Sequence, residues 1–280
     1  RKPGTQMRPI LFHIGPVPIR AYGTMIFIGF LVALRYVLVQ TQRLYANPTP
    51  KQAREGKAIT PDHILDMALV GLVVGLIGTR LVFVVLHWGM FRERPIEALE
   101  IWTGGLSFIG APIFGFGYAW WYCRRHGLSF AAVADLVAPG FSLGYVFGRI
   151  GCFLNGCCYG YACSLPWAVR FHVDGEVSTL TPPSHPTQIY AAIMSVFIFA
   201  ILHRMLHRPH RDGQVIVMYG ALYAAYRFVN DFFRAGATAR HVAGWLTEGQ
   251  LAALIAVPLL IYFWMRLSRR APAGEPKALS

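Results

Sequence analysis

Apolar runs alternate with short polar stretches along almost the whole chain. Seven of them approach or reach the length that crosses a hydrocarbon core, at about 22–39, 64–88, 106–123, 131–147, 188–206, 215–233 and 251–267. The run at 131–147 is the weakest, because Pro139-Gly140 interrupts it. A bilayer interior leaves backbone groups no partner but their own helix. The pattern therefore predicts an all-α, polytopic integral membrane protein with about seven transmembrane helices. With the N-terminus outside, clusters such as Arg124-Arg125 and Arg269-Arg270 fall inside, and Lys and Arg are in a slight majority there. That bias predicts an N-out, C-cytoplasmic orientation. The first stretch holds Pro3, Gly15, Pro16 and Pro18 and lacks the apolar core of a cleavable signal peptide.

Composition agrees with the pattern. The chain is 55% hydrophobic and 14% charged, with a mean hydropathy of +0.44. A soluble domain carries about a quarter charged residues. The net charge of +13 raises the question of a polyanionic partner. Basic residues sit between the apolar runs rather than in a stripe with aromatics, which favours anionic membrane lipid over nucleic acid. We expect one membrane-embedded domain over 1–280, with an outer segment at 1–20, a functional outer loop at 148–187 and a cytoplasmic tail at 268–280. The inner loop at 40–63, with Asn47-Pro48-Thr49-Pro50, reads as a solvated connector. No internal repeat is visible, which argues against an inverted-repeat transporter or scramblase for lipids.

Ionisable residues inside apolar runs are costly and point to partners or wet cavities. Arg80 lies in the second run, and Arg227 and Asp231 in the sixth. At 100° per residue, Tyr219, Tyr223, Arg227, Asp231 and Arg234 share an arc of about 120°. An Arg227–Asp231 pair at i, i+4 would leave Arg234 available for an anion. Arg149 follows the fourth run in a Gly-rich loop, where Gly148, Gly151 and Gly156 let backbone approach a ligand and Asn155 offers a donor and an acceptor. In the second run, Gly71, Gly75 and Gly78 read as close helix packing. Gly104-Gly105-Leu106-Ser107 reads either that way or as a source of free N–H groups for a phosphate. Cys152, Cys157, Cys158 and Cys163 concentrate in the outer loop. Their C-x4-C-C-x4-C spacing matches no common zinc pattern, and one or two disulfides fit an oxidising compartment. His185 opens the fifth run beside Pro186 and is a candidate proton acceptor.

Gly148-Arg149-Ile150-Gly151-Cys152-Phe153-Leu154-Asn155-Gly156 resembles the signature G-R-x-G-N-F-x-N-G of the bacterial phosphatidylglycerol–prolipoprotein diacylglyceryl transferase family. His185-Pro186-Thr187-Gln188-Ile189-Tyr190 resembles that family's H-P-[ST]-Q-L-Y-E, and Arg227 through Arg234 its R-x-x-x-E-F-F-R. Tyr22-Gly23 and Gly78-Thr79-Arg80 fall where the family has Tyr-Gly and Gly-Gly-Arg. The resemblance runs from Phe12-His13-Ile14-Gly15-Pro16 to the last apolar run. It implies transfer of the sn-1,2-diacylglyceryl group from phosphatidylglycerol to a prolipoprotein lipobox cysteine, in the bacterial plasma membrane, with no metal or cofactor. It also implies Arg149 and Arg227 as a phosphate clamp and Arg80 and Arg234 as guides for the head group. Tyr22 and Asn155 would orient the glycerol, with Gly104, Gly105, Ser107, Gly156 and Asp231 completing the binding surface and His185 taking a proton.

The departures lie near the implied chemistry. Ile109 replaces a histidine in the family's G-G-[ML]-S-F-H-G-G, Cys152 replaces an Asn, Ala191 replaces a Glu, and Asp231 replaces a Glu with its charge kept. A paralogue with the same phospholipid site and another acceptor is the alternative those changes suggest.

Overall fold

The computed structural model describes residues 10–14, 17–45, 58–92, 94–100, 105, 107, 109–172, 180–235, 241–243 and 246–268. Seven long helices carry most of them: α1 (Ala21–Tyr45), α2 (Pro61–Leu86), α3 (Gly110–Arg125), α4 (Phe130–Asn155), α5 (Thr187–Leu206), α6 (Gln214–Asp231) and α7 (Glu248–Ser268). Each overlaps one apolar run. α1, α2, α4, α5 and α7 are long and apolar enough to cross a membrane. α3, at 16 residues, reaches only about 24 Å against a core of about 30 Å. α6 carries Arg227 and Asp231 in its last turns. Large apolar side chains stand exposed on the long helices, including Phe27 (61%), Val85 (65%) and Phe197 (60%). In water such a surface would aggregate; facing lipid tails it costs nothing. The protein is a mostly helical, multi-pass membrane protein.

The fourth run is the one whose reading changes most. The helix does not break at Pro139 but passes through it and continues to Asn155. Pro139 is fully buried, and Ser142 one turn on donates to the Ser195 carbonyl at 2.9 Å. Burial among neighbouring helices lets a packed membrane bundle carry a helix through a proline, which local propensity does not anticipate. Arg149 therefore sits on a helix, not in a loop, and the loop that follows begins after Asn155.

The described residues group into two compact units, 1–35 with 134–280, and 36–133. In the smaller unit, Thr60 caps α2 with His63 in a reciprocal pair, and Pro61 occupies the first turn. Gly71, Gly75 and Gly78 face Tyr118, Ala111 and Phe114 of α3 in turn. A Cβ at Gly78 would stand 2.6 Å from that of Phe114, so the two backbones meet only because that glycine has none. The close-packing reading of the second run holds.

In the larger unit, α1 crosses α4 at Gly29, where a Cβ would lie 2.8 Å from Phe147 Cβ and 3.0 Å from the Gly144 carbonyl. Ala138, Ile198, Leu202 and Val215 form its buried core across α4, α5 and α6. Buried Asp135 accepts from the Gly213 and Ile216 N–H groups at 2.7 and 2.8 Å, satisfying the start of α6. A hairpin of β1 (Ile10–Ile14) and β2 (Val17–Arg20) leads into α1, and a second, β3 (His241–Ala243) with β4 (Leu246–Thr247), leads into α7. Between α4 and α5 the chain folds back on itself through short bridges, Ala162 and Val169 both pairing with Ser184 and His172 with Leu180. Fully buried Phe171, stacked on Tyr159 at 5.1 Å and edge-on to Phe153 at 5.9 Å, anchors this clip.

Candidate active site

Because α4 continues past Phe147, Arg149 lies one turn after Tyr145, and its guanidinium rests over that ring at 4.6 Å. The Tyr145 ring meets Tyr223 of α6 edge-on at 5.6 Å. On α6, Arg227 Nη1 pairs with Asp231 Oδ1 at 3.0 Å, as the i, i+4 spacing predicts. Arg234 lies just beyond the helix, in a bridge with Gly160, and its Nη1 stands 3.8 Å from the same oxygen. The expectation that Arg234 is left over is corrected: Asp231 serves both arginines, because its i−4 and i+3 neighbours reach the same carboxylate oxygen. Asp231 and Arg234 are buried, whereas the Arg227 side chain retains 20% exposure.

Two supports of this cluster escape sequence reading. Thr247 donates its hydroxyl to Asp231 Oδ2 at 2.7 Å, while exchanging capping bonds with Gln250 at the start of α7. Gly249 lies so close that an added Cβ would overlap Asp231 Oδ2 and stand 3.0 Å from Arg227 Nε. The signal was a Thr-x-x-Gln capping pattern, which marks a helix start but does not say which carboxylate the threonine meets.

Cys152 lies in the last turn of α4, and the chain then turns through Gly156 (φ 75°) and Cys158 (φ 65°), the latter in a left-handed conformation unusual for a non-glycine. Thr187 Oγ1 donates to the Cys158 carbonyl and fully buried Gln188 Nε2 to the Cys157 carbonyl, each at 2.7 Å. The Thr-Gln of the His-Pro-Thr-Gln motif thus fastens the turn after α4. The sulfurs of Cys152, Cys157 and Cys158 lie within 4.8 Å of one another, and all five cysteines are free thiols. The expected loop disulfides are absent among the described residues. Thiol hydrogen bonds from Cys152 and Cys157, with Arg149 and Arg227 in electrostatic range, hold the Cys158 thiol below its ordinary value.

Tyr22, at the start of α1, packs against the backbone of α4. A Cβ on Gly151 would lie 3.3 Å from the Tyr22 ring and 3.1 Å from Met25 Cβ. Asn155 is exposed as the last residue of α4, and Gly156 is buried behind it. His185 Nδ1 lies 3.2 Å from the Tyr190 hydroxyl, which accepts from Trp167 Nε1 at 2.8 Å. Gly160 donates to the His185 carbonyl at 2.9 Å, and a Cβ there would collide with the Phe233 carbonyl. Tyr22, Arg149, Asn155, Gly156, His185, Arg227, Asp231 and Arg234 thus belong to one compact unit.

Arg80, Gly105 and Ser107 belong to the other. The Arg80 side chain is buried and donates to the carbonyls of Ala98 (2.8 Å), Glu97 (2.6 Å) and Gly105 (3.1 Å), with the Phe91 ring at 5.3 Å. Gly105 has φ 68°, and a Cβ there would press on Phe83 and Arg80. Ser107 donates its N–H to the Thr79 carbonyl at 3.0 Å. Gly104 lies outside the described residues. Ile109, in the turn before α3, is 57% exposed.

Helices long and apolar enough to cross a membrane, with arginines, tyrosines and thiols gathered at the ends of α4 and α6, define a polytopic membrane protein. Comparison with known proteins gives the rest. The family model for prolipoprotein diacylglyceryl transferase matches residues 9–266, and the chain belongs to that family. It is similar to proteins named phosphatidylglycerol–prolipoprotein diacylglyceryl transferase in several bacteria. The Aliivibrio salmonicida protein is 33% identical, over 91% of this chain and 87% of its own length. Those of Vibrio cholerae (31%) and Photobacterium profundum (30%) each match over 91% of this chain and 90% of theirs.

Proposed function

We propose that this protein transfers the sn-1,2-diacylglyceryl group of phosphatidylglycerol to the lipobox cysteine of prolipoproteins, releasing glycerol phosphate. The observation that carries the reading is the arginine cluster of the larger unit. Arg227 and Arg234 share one buried carboxylate, and Arg149 rests on an aromatic ring. These four ionic groups sum to a positive charge that a phosphate would balance. Attack of a thiolate on the glyceryl carbon expels a phosphate ester, and preorganised cations stabilise the charge that develops on it. Arg149 and Arg227 grip the phosphate, both lying within electrostatic range of Cys158 and Tyr226. Asp231, held by Thr247, keeps Arg227 and Arg234 in place.

Tyr22 and Asn155 orient the glycerol, Gly156 lets backbone come close, and His185, steadied by Tyr190, takes a proton on the outer side. Arg80 acts through structure, its guanidinium fastening the carbonyls of Glu97, Ala98 and Gly105. The chain works in the bacterial plasma membrane, N-terminus outside and C-terminus cytoplasmic. Detergent-purified protein, given phosphatidylglycerol and a lipobox peptide, should release glycerol phosphate and add a diacylglyceryl mass to the peptide cysteine. Glycerol phosphate without that adduct would instead favour a paralogue with another acceptor, the reading that Ile109 in place of a histidine supports. Neither product from folded protein would defeat both.

A further inference from the structure

Three thiols meet beside the arginine cluster, although their spacing in the chain resembles no common zinc motif. Cys152 comes from the last turn of α4, and Cys157 and Cys158 from the turn after it. That turn is held from outside the cluster: Thr187 and Gln188 fasten the two carbonyls, and Cys158 is kept left-handed at φ 65°. The sulfurs lie within 4.8 Å of one another. Zinc–sulfur bonds of about 2.3 Å in tetrahedral geometry bring sulfurs to about 3.8 Å, so a small contraction would close three of them on one ion. Cys152 is buried while Cys157 and Cys158 are half-buried, which leaves the cluster reachable from outside. Tyr22, Arg149 and Arg227 are within electrostatic range of these thiols, and the arginines offset the negative charge of a trithiolate.

We propose that Cys152, Cys157 and Cys158 form a three-thiolate site for a soft closed-shell ion of the zinc type, whose fourth position takes the acceptor thiol during transfer. The proposal rests on the transferase reading for its acceptor. Three protein ligands with one open position is the arrangement of a reactive rather than a structural zinc site, and a thiol that joins such an ion is deprotonated. The acceptor S–H gives its proton to His185. Its sulfur lone pair attacks the glyceryl carbon, a carbon–sulfur bond forms, and the carbon–oxygen bond to phosphate breaks. That bond's electron pair leaves with glycerol phosphate, held by Arg149 and Arg227. Nothing is oxidised or reduced.

The test uses full-length, reduced and chelator-treated protein titrated with Zn2+, with Co2+ as spectroscopic probe. We expect one ion per chain with a sulfur-to-cobalt charge-transfer band. Zn2+ should protect Cys152, Cys157 and Cys158 from alkylation while Cys163 stays reactive, a readout that needs no variant. Cys152→Ser, Cys157→Ser and Cys158→Ser should each weaken binding at least about tenfold, and Cys163→Ser should not. A lipobox peptide should change the cobalt spectrum, and its Cys→Ser version should not. Failure to take up Zn2+, uptake that persists in the triple Ser variant, or a disulfide among the three thiols in protein kept unreduced through purification would overturn the site. Equal adduct formation by metal-free and Zn2+-loaded protein would overturn its role in transfer and leave the transferase reading standing. Normal Zn2+ binding with no adduct under any condition would instead sink the transferase reading.

Discussion

Arg80 and Arg227 are both arginines inside apolar helices, and the two compact units treat them differently. Arg80 gives three N–H groups to the carbonyls of Glu97, Ala98 and Gly105 and lies against Phe91, so it ties backbone segments together. Arg227 shares a single carboxylate with Arg234, and its side chain is partly exposed. A guanidinium that grips backbone carbonyls is a clasp; one that competes for a shared carboxylate is poised for an anion. Intramembrane charge alone does not distinguish these cases. The identity of the partners does.

This contrast breaks most sharply at the chemistry. Arg149→Ala or Arg227→Ala should lower the rate of adduct formation by at least about a hundredfold, the scale of losing one preorganised donor to a developing anion. Mass spectrometry of the peptide product reads it, and near-normal turnover in either variant would remove the phosphate clamp. Asp231→Asn should cost about 3–5 kcal/mol of stability in a detergent unfolding assay, because it strands two buried or half-buried cations. An unfolding midpoint like that of the parent would show that Arg227 and Arg234 do not depend on the carboxylate.

Arg80→Ala should resemble Asp231→Asn more than Arg149→Ala: a loss of about 2–3 kcal/mol from its charged hydrogen bonds, seen in the same assay, with the folded fraction keeping phosphatidylglycerol binding. Loss of lipid binding at unchanged stability would turn the clasp into a ligand contact. Thr247→Ala removes both the Asp231 hydrogen bond and the cap of α7, and should destabilise by about 1–2 kcal/mol. The smallest expected effect is Tyr190→Phe, which frees His185 and Trp167 of their shared hydroxyl at about 1 kcal/mol. Its adduct rate, measured on the same preparation, checks whether holding His185 matters to proton transfer.

The hydrophobic pattern by itself determined that the chain is helical and crosses a membrane several times, because a bilayer permits few other solutions for the backbone. The glycines of α2 and the Arg227–Asp231 pair were legible for a similar reason: helix period alone sets which residues share a face. Only the tertiary structure decided where the local rules compete. Pro139 reads as a break, yet the packed bundle carries α4 through it, and Arg149 moves from a loop onto the helix above Tyr145. Arg234 reads as left over, yet it stands beside the same oxygen of Asp231 that Arg227 holds. Thr247, Gly249 and the meeting of Cys152 with Cys157 and Cys158 left almost no trace in spacing. They depend on how α7 and the Thr187-Gln188 pair press against other segments, and contacts between distant parts of a chain follow no period that a sequence displays.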